Sequence, residues 1–368
     1  MKALEQILNY TTLLKFVEAI KDGIPNPLPK AFFSTTEKTN GDVALLHRVY
    51  GQRQLAKMVQ YGAAAVEQTM KKLDSFPIKL LHANNSITFD PKILMQLRSL
   101  NSYDLDAGKQ YVAMQMKHFV TSFMNLRIAS VTSLMVNGKI WMDTNGNMLP
   151  TSSGADTART VDAGVPANNQ GSLNSIISAS WATSSTNIPL HLRNVRIQSL
   201  RDTGYEVKNI LYGKKVPGYL TQNDYVKDFL SRTGSHPGSN MSQEYLDSGD
   251  IPQGLFGFNW IPIYTSFFED QSGTNQSAAE PYSGDEIIFF PDVSSDWWSL
   301  VEGSYPVPTD INLKTDAEAG LASLTFPHGM AAYANVTFNP PAIRMFHVDT
   351  WMPFLKNPSV VYQGDAVP

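Results

Sequence analysis

Apolar residues recur with helical spacing along residues 104–137. Val112, Met116, Phe119, Phe123, Leu126 and Leu134 lie three, four or eight positions apart, the 3.6-residue period of a helix with one buried stripe. No proline occurs between Pro91 and Pro150, Asp104 or Asp106 can cap the start, and Asn137-Gly138 supplies the left-handed residue that commonly closes a helix. At 1.5 Å per residue the helix would be roughly 45 to 50 Å long, against a usual length of about 11 or 12 residues. The period then changes. From Lys139 to Asp143, Ile140 and Met142 alternate with Lys139, Trp141 and Asp143, and Asn145-Gly146 follows as the signal of a two-residue type I′ hairpin. The pattern predicts a long helix that stops abruptly at a hairpin, and a helix of that length needs a long surface to lie against.

Elsewhere the pattern is shorter in range. Leu4, Ile7, Leu8, Leu14, Phe16 and Val17 anchor one or two amphipathic helices in residues 1–22, and "DGIPNPLPKAFF" then places three prolines within five residues, as in an extended arm. Leu55 to Val66 reads as a strand or a helix. "FPIKLLHANNSITFD" carries a strand signal, yet Pro77 and Asn84-Asn85 predict a protruding hairpin or loop rather than a core element. "PTSSGADTARTVDAGVPANNQGS" is loop chemistry and predicts an exposed insertion. Beyond Ser172, a helix over Leu190 to Leu200, a strand over Val207 to Tyr212 closed by Gly213, and a helix over Gln222 to Leu230 make an α+β lobe. The segment "AAYANVTFNPPAIRMFHVDTWM" gives two alternating strands divided by Pro340-Pro341, with a last strand near Val360 to Tyr362. No repeat of solenoid or propeller length is visible.

Composition narrows the classes. A chain of 368 residues can bury about three quarters of its unfolded surface, enough for one large or two ordinary domains. Charged residues make up 17%, against a common value of about 25%, so much of the surface is uncharged polar loop. The absence of cysteine excludes disulfides, thiolate metal sites and cysteine nucleophiles, and leaves the redox compartment open. No run approaches 18 apolar residues and Met1 to Ile24 is charged throughout, which argues against a membrane span or signal peptide. The net charge of −4 conceals a division: residues 1–145 hold 17 Lys and Arg against 11 Asp and Glu, and residues 146–368 hold 12 against 22. Between Asn240 and Gly320 there are 14 acidic residues and one basic residue, Lys314. Either this is a solvated acidic lobe, or the two parts of the molecule face different surroundings, the first tolerating polyanion.

Candidate chemistry is sparse. His47, His82, His118, His191, His236, His328 and His347 show no metal-ligand spacing, and no nucleophile elbow, phosphate loop or dinucleotide-binding turn occurs. No catalytic, cofactor or metal residue is assigned. Glu269-Asp270 and Asp285-Glu286 are the acidic pairs a hydrolase or a calcium site would use, although such neighbours arise by chance in so acidic a lobe. Trp297, Trp298 and Tyr305 cluster in "SSDWWSLVEGSYPVP", preceded by Trp260, Tyr264, Phe267 and Phe268. Aromatics this dense can line a sugar-binding face, though core or subunit-interface packing is the commoner use. With Trp351, the first three are candidate subunit-interface residues.

The order of these pieces, an arm, a protruding loop, one very long helix ending in a hairpin, an α+β lobe and returning strands, resembles the major capsid protein of tailed bacteriophages, the Hong Kong 97 capsid fold. The branch it is most similar to is the lambda-like family called major capsid protein E. "SWATSSTNIPLHLRNVRIQSLRDTGYEVKNILYG" resembles that family's tryptophan, helix, glycine and buried strand; "EIIFFPDVSSDWWSLVEGSYPVP" its strand and Glu-Gly-Ser segment; "DTWMPFLKNPSVVYQGDAV" its closing strand. The resemblance covers roughly residues 45–368.

It implies an arm over residues 1–46, an extended loop over 47–98, a peripheral domain over 99–171 with its spine helix at 104–137, an axial domain over 172–330, and a return to the peripheral domain over 331–368. The hairpin and the strands after Ala331 would share one sheet beside the spine, packed by Val112, Met116, Phe119, Phe123, Leu126 and Leu134. It further implies self-assembly into pentamers and hexamers around double-stranded DNA held without sequence specificity. Portal, scaffolding and decoration proteins would be partners, with no cofactor, no membrane and no enzymatic activity, in the virion and in the host cytoplasm during assembly. Some relatives carry a cleaved scaffolding segment; the short arm predicts none here, and nothing marks Lys71 or Lys72 for crosslinking. Two alternatives stay open: a tail or receptor-binding protein using Trp297 and Trp298 on carbohydrate, and a hydrolase using the acidic lobe.

Overall fold

The computed structural model describes residues 10–23, 28–50, 72–89, 102–144, 146–149, 158–170, 177, 179–232, 251–263, 282–308, 324–338 and 341–367. The chain enters through helix α1 (Tyr10–Gly23), which buries Leu13 and Val17, and a single turn α2 (Ala31–Ser34), which buries Phe32 and Phe33. Strands β1 (Thr36–Thr39), β2 (Val43–Tyr50), β3 (Lys72–Lys79) and β4 (Leu81–Phe89) precede the spine helix α3 (Ser102–Asn137). At 36 residues the spine is about 54 Å long, and it begins two residues ahead of the predicted start. Gly138, at φ +66°, ends it, its N–H bonded to the Leu134 carbonyl.

Strands β5 (Lys139–Met142), β6 (Met148–Leu149) and β7 (Arg159–Asp162) follow, then helix α4 (Ile188–Asp202), strand β8 (Val207–Tyr212) and helices α5 (Val216–Gln222) and α6 (Asp224–Arg232). Asn187 caps α4 by accepting from the Leu190 N–H, and Pro189 occupies the first turn. The rest is β9 (Asn259–Pro262), β10 (Glu286–Pro291), β11 (Trp298–Gly303), β12 (Val307–Pro308), β13 (Leu324–Thr325), β14 (Ala331–Phe338), β15 (Pro341–Leu355) and β16 (Tyr362–Asp365).

β15 organises the sheet beside the spine. Its first half pairs with β14 on one side and β4 on the other, its second half pairs with β11, and β1 adds to β11 in parallel. A second sheet, in the order β16-β10-β8-β9, divides two cores. Leu211, Ile288 and Phe290 join the core of the spine, whereas Ile210, Ile287 and Phe289 join Trp181, Leu192, Val195 and Trp260 under helices α4 to α6. Burial on both faces explains why β10, EIIFFP, is a continuous apolar run without alternation. Residues 110–137 of the spine are long and apolar enough to cross a membrane, but 67% of the most apolar window is buried inside the protein, as the central helix of a core requires.

Several expectations are corrected. Asn84-Asn85 makes no turn: both residues sit inside β4, which holds nine consecutive pairs with β15, and that ladder overrides the local turn preference. The Asn-Gly hairpin exists, but three residues separate Asp143 from Asn147. The Gly146 N–H bonds the Asp143 carbonyl, Gly146 lies at φ +85°, and the Asp143 carboxylate accepts from the Asn147 backbone and amide. The turn thus closes with a left-handed glycine, and it buries Asp143, which the alternation placed outside. The hairpin pairs with β7 in a sheet of its own, separate from β14 and β15. The part of the expected insertion that is described is no exposed loop: Val161, Ala163 and Val165 alternate into the core. Asn223 divides the helix expected over 222–230, its carboxamide accepting from the Val226 N–H while its NH2 donates to the Ser184 and Thr186 carbonyls. The element expected at Leu55 to Val66, and the pair Glu269-Asp270, lie outside the described residues.

Candidate functional site

Two features stand out: a buried polar seam that ties the spine to β15, and a two-stranded ribbon that packs one face on the core and exposes the other. Along the spine, Phe119, Phe123, Arg127 and Ser130 follow one another at spacings of four, four and three, on one face. Along β15, His347, Asp349 and Trp351 alternate onto one face of the sheet. The two rows meet in order. Phe119 stacks on His347 with ring centroids 4.4 Å apart and planes within 8°. Arg127 donates from Nε to Asp349 Oδ2 at 2.7 Å and from Nη2 to Oδ1 at 2.5 Å, and the Trp351 indole N–H donates to Ser130 Oγ at 3.2 Å.

The third direction of the Arg127 fork reaches β11, where Nη1 donates to Glu302 Oε1 at 2.9 Å. Arg127 and Asp349 side chains are wholly buried and Glu302 nearly so. Burial alone would depress the guanidinium pKa; the charges and hydrogen bonds of Asp349 and Glu302 reverse that, and the net displacement is strongly upward. Arg127 is therefore a fixed charge whose fork joins three elements. His347 has the opposite character: burial holds its pKa down at about 4, and its Nε2 has no hydrogen-bond partner among the described residues.

The ribbon is β2 with β3, paired over eight residues from Val43↔Lys79 to Tyr50↔Lys72. Its inner face carries Ala44, Leu46 and Arg48, all buried. Arg48 lies 4.9 Å from the Phe76 ring centroid and 5.5 Å from that of Phe354, and donates to the Asp162 carbonyl at 3.1 Å, fastening the ribbon to β15 and β7. The outer face presents Val43, Leu45 and Leu73 at 50%, 63% and 59% exposure, with Pro77 directly across from Leu45. The same face also exposes His47, Ser75 and Lys79, and exposed apolar side chains of this kind on a two-stranded ribbon are suited to contact with another surface.

Of the predicted spine residues, Val112, Met116, Phe123 and Leu134 are buried, while Phe119 and Leu126 are partly buried. The predicted interface residues are not together on a surface. Trp297 and Trp298 are 0% exposed and Trp351 is 2% exposed. Trp298 donates to the Phe32 carbonyl and packs edge-on against the Phe32 ring, and Trp297 donates to the Asp292 carbonyl. All three are core residues of their own protomer, a correction of the expected role, since a side chain enclosed by its own chain offers no area to another. Tyr305 alone is partly exposed, stacked on His82. The same burial removes Trp297 and Trp298 as a carbohydrate platform.

Asp285 is paired with Lys215 and Tyr219, and Glu286 accepts from the Ser283 and Gly284 backbone. Among the described residues no group of three or more His, Asp or Glu is placed to hold a metal ion.

No protein-family model matches this sequence, and no curated protein sequence does. Solved structures do. A crystal structure of an E. coli CFT073 prophage protein, assigned as a capsid protein, aligns over 98% of this chain and 99% of its own, with a TM-score of 0.58 at 12% identity. A phage-related protein of Bordetella bronchiseptica RB50 aligns over 96% and 98%, with a TM-score of 0.48 at 8% identity. A structure from Gordonia phage Cozz aligns over 93% and 91%, at 0.44 and 10%. The chain has a mixed α and β fold of the phage-capsid class. More particularly, it is a Hong Kong 97-like fold, as the order of the sequence motifs anticipated.

Proposed function

We propose that this protein is the major subunit of a viral shell, assembling through five- and six-membered capsomers into an icosahedral capsid around the double-stranded DNA of a tailed phage. The observation that carries this reading is the end-to-end correspondence with a prophage capsid fold, 98% of this chain against 99% of the other. On this reading the work of the protein is structural rather than enzymatic. Closed rings and shells use heterologous contacts in which different surfaces of one subunit meet, and the β2–β3 ribbon supplies such a surface. It would lie over a neighbouring subunit, with residues 1–46 as an arm, 99–171 and 331–368 as the peripheral domain and 172–330 as the axial domain. Because β4 belongs to the protomer's own sheet, the overlap belongs to the ribbon rather than to the whole of residues 47–98.

DNA in the lumen would be held without sequence recognition. The excess of six positive charges in residues 1–145 supports tolerance of polyanion rather than tight binding, which scales with the number of phosphates neutralised. Portal, scaffolding and decoration proteins would be further partners, in the virion and, during assembly, in the host cytoplasm. The test is expression of the full chain followed by negative-stain electron microscopy and nuclease protection. Rings of five or six, or closed shells, support the reading; a protein that stays monomeric at every concentration overturns it. Shells that form but protect no DNA in an infection would limit the reading to a compartment.

A further inference from the structure

Among the described residues β4 is an edge strand, and it lacks the devices that usually protect one. It holds nine antiparallel pairs with β15, from Leu81↔Trp351 to Phe89↔Ile343, without a register shift. Among the described residues no strand pairs with its other edge. Natural sheets blunt their edges with proline, charged side chains, bulges or very short strands. The sequence LHANNSITF has no proline and no Lys, Arg, Asp or Glu, the ladder is unbroken, and nine residues is long against a mode of about five or six. His82, Asn84, Asn85, Ser86 and Thr88 are exposed. An edge left open in this way offers a row of backbone donors and acceptors to an added strand.

The strand's own pattern points to the occupant. It is symmetric about Asn85: Leu81 corresponds to Phe89, His82 to Thr88, Ala83 to Ile87 and Asn84 to Ser86. In an antiparallel pair centred there, directly opposite residues share a face. Leu81 would meet Phe89 and Ala83 would meet Ile87 on one face, His82 would meet Thr88 and Asn84 would meet Ser86 on the other, and Asn85 would meet its own copy. No pair brings like charges together. We propose that β4 pairs antiparallel with β4 of a second copy about a two-fold axis through Asn85, joining two five-stranded sheets into one. Such a contact is isologous, unlike the heterologous contacts that close rings, and it rests on the strand alone rather than on the shell reading.

The chain has no cysteine, so Asn85→Cys introduces a single thiol. Opposed residues of antiparallel strands have Cα atoms about 4.5 to 5.5 Å apart, within the disulfide range. Mild oxidation of the full-length Asn85→Cys protein should give a covalent dimer at least about tenfold faster than Ser295→Cys, an exposed control away from the strand, because pairing raises the effective thiol concentration. The double variant His82→Cys, Thr88→Cys should crosslink likewise and serves if Asn85→Cys folds poorly. Asn85→Lys should lower the dimer fraction. Crosslinking of both cysteine variants no faster than the control overturns the proposal. So does slow exchange, without crosslinking, of those amides of residues 82–88 that point away from β15, which would mean that another segment occupies the edge. Normal shells from Asn85→Cys protein that stays uncrosslinked would remove this pairing and leave the shell reading intact, whereas crosslinked dimers that never form shells would do the reverse.

Discussion

Arg127 of the spine and Asp349 of β15 form a two-point ion pair with both side chains fully buried, and Glu302 takes the remaining arm of the guanidinium. Breaking such a group is costly because it leaves the other charges buried and unpaired. Arg127→Met should lower stability by about 3 to 5 kcal/mol, read as a fall in the denaturant midpoint. Removing all three charges, as Arg127→Met, Asp349→Leu, Glu302→Leu, should recover most of that loss. A triple variant less stable than Arg127→Met would mean that the group contributes through more than mutual compensation.

Phe123 is 3% exposed on the same face of the spine. Truncation to alanine should cost about 3 to 5 kcal/mol through lost burial and the cavity left behind. Met114, on the same helix but 58% exposed, provides the contrast: Met114→Ala should change stability by no more than about 0.5 kcal/mol. Equal effects in denaturant unfolding would contradict the placement of the spine's buried stripe.

His347 makes the seam sensitive to acid. Its pKa falls from 6.5 to about 4 on folding, through burial, so the unfolded chain binds the proton more readily than the folded one. The contribution is intact above pH 6.5 and is lost as the pH falls toward 4, by up to about 3 kcal/mol. His347→Phe, which keeps a ring against Phe119, should flatten the stability profile between those limits. A variant with the same acid slope as the parent would place the sensitivity elsewhere.

The long helix was legible because its apolar residues keep the 3.6-residue period with no proline to interrupt them, and β8 and the β14–β15 hairpin were legible because strand residues stood between strong breakers. The seam was missed. A single arginine in an apolar helix reads as a solvent-facing residue, yet Arg127 lies four residues after Phe123 and eight after Phe119, on the stripe predicted to be buried. Asp349 likewise shares the parity of His347 and Trp351. Two opposite charges, each at an inward position, are the signal that could have paired them. Asn84-Asn85 misled because turn preference is local, whereas the ladder to β15 is formed by residues more than 250 positions away. The tryptophans misled because aromatic density alone does not separate core from interface.

The exposed face of the ribbon separates assembly from folding. Leu45→Asp combined with Leu73→Asp alters side chains that are 63% and 59% exposed, so each should change subunit stability by no more than about 0.5 kcal/mol. The double variant should nevertheless fail to form closed particles. Normal particle yield would remove the ribbon from the contact between subunits.

The most direct test of the shell reading is a cryo-electron microscopy reconstruction of the particles formed by the full chain. The account predicts capsomers of five and six copies, with the spine helix within each subunit and the β2–β3 ribbon, Leu45 and Leu73 included, buried against a neighbour. Preparations that contain only monomers, or an assembly in which that ribbon stays exposed to solvent, would contradict it.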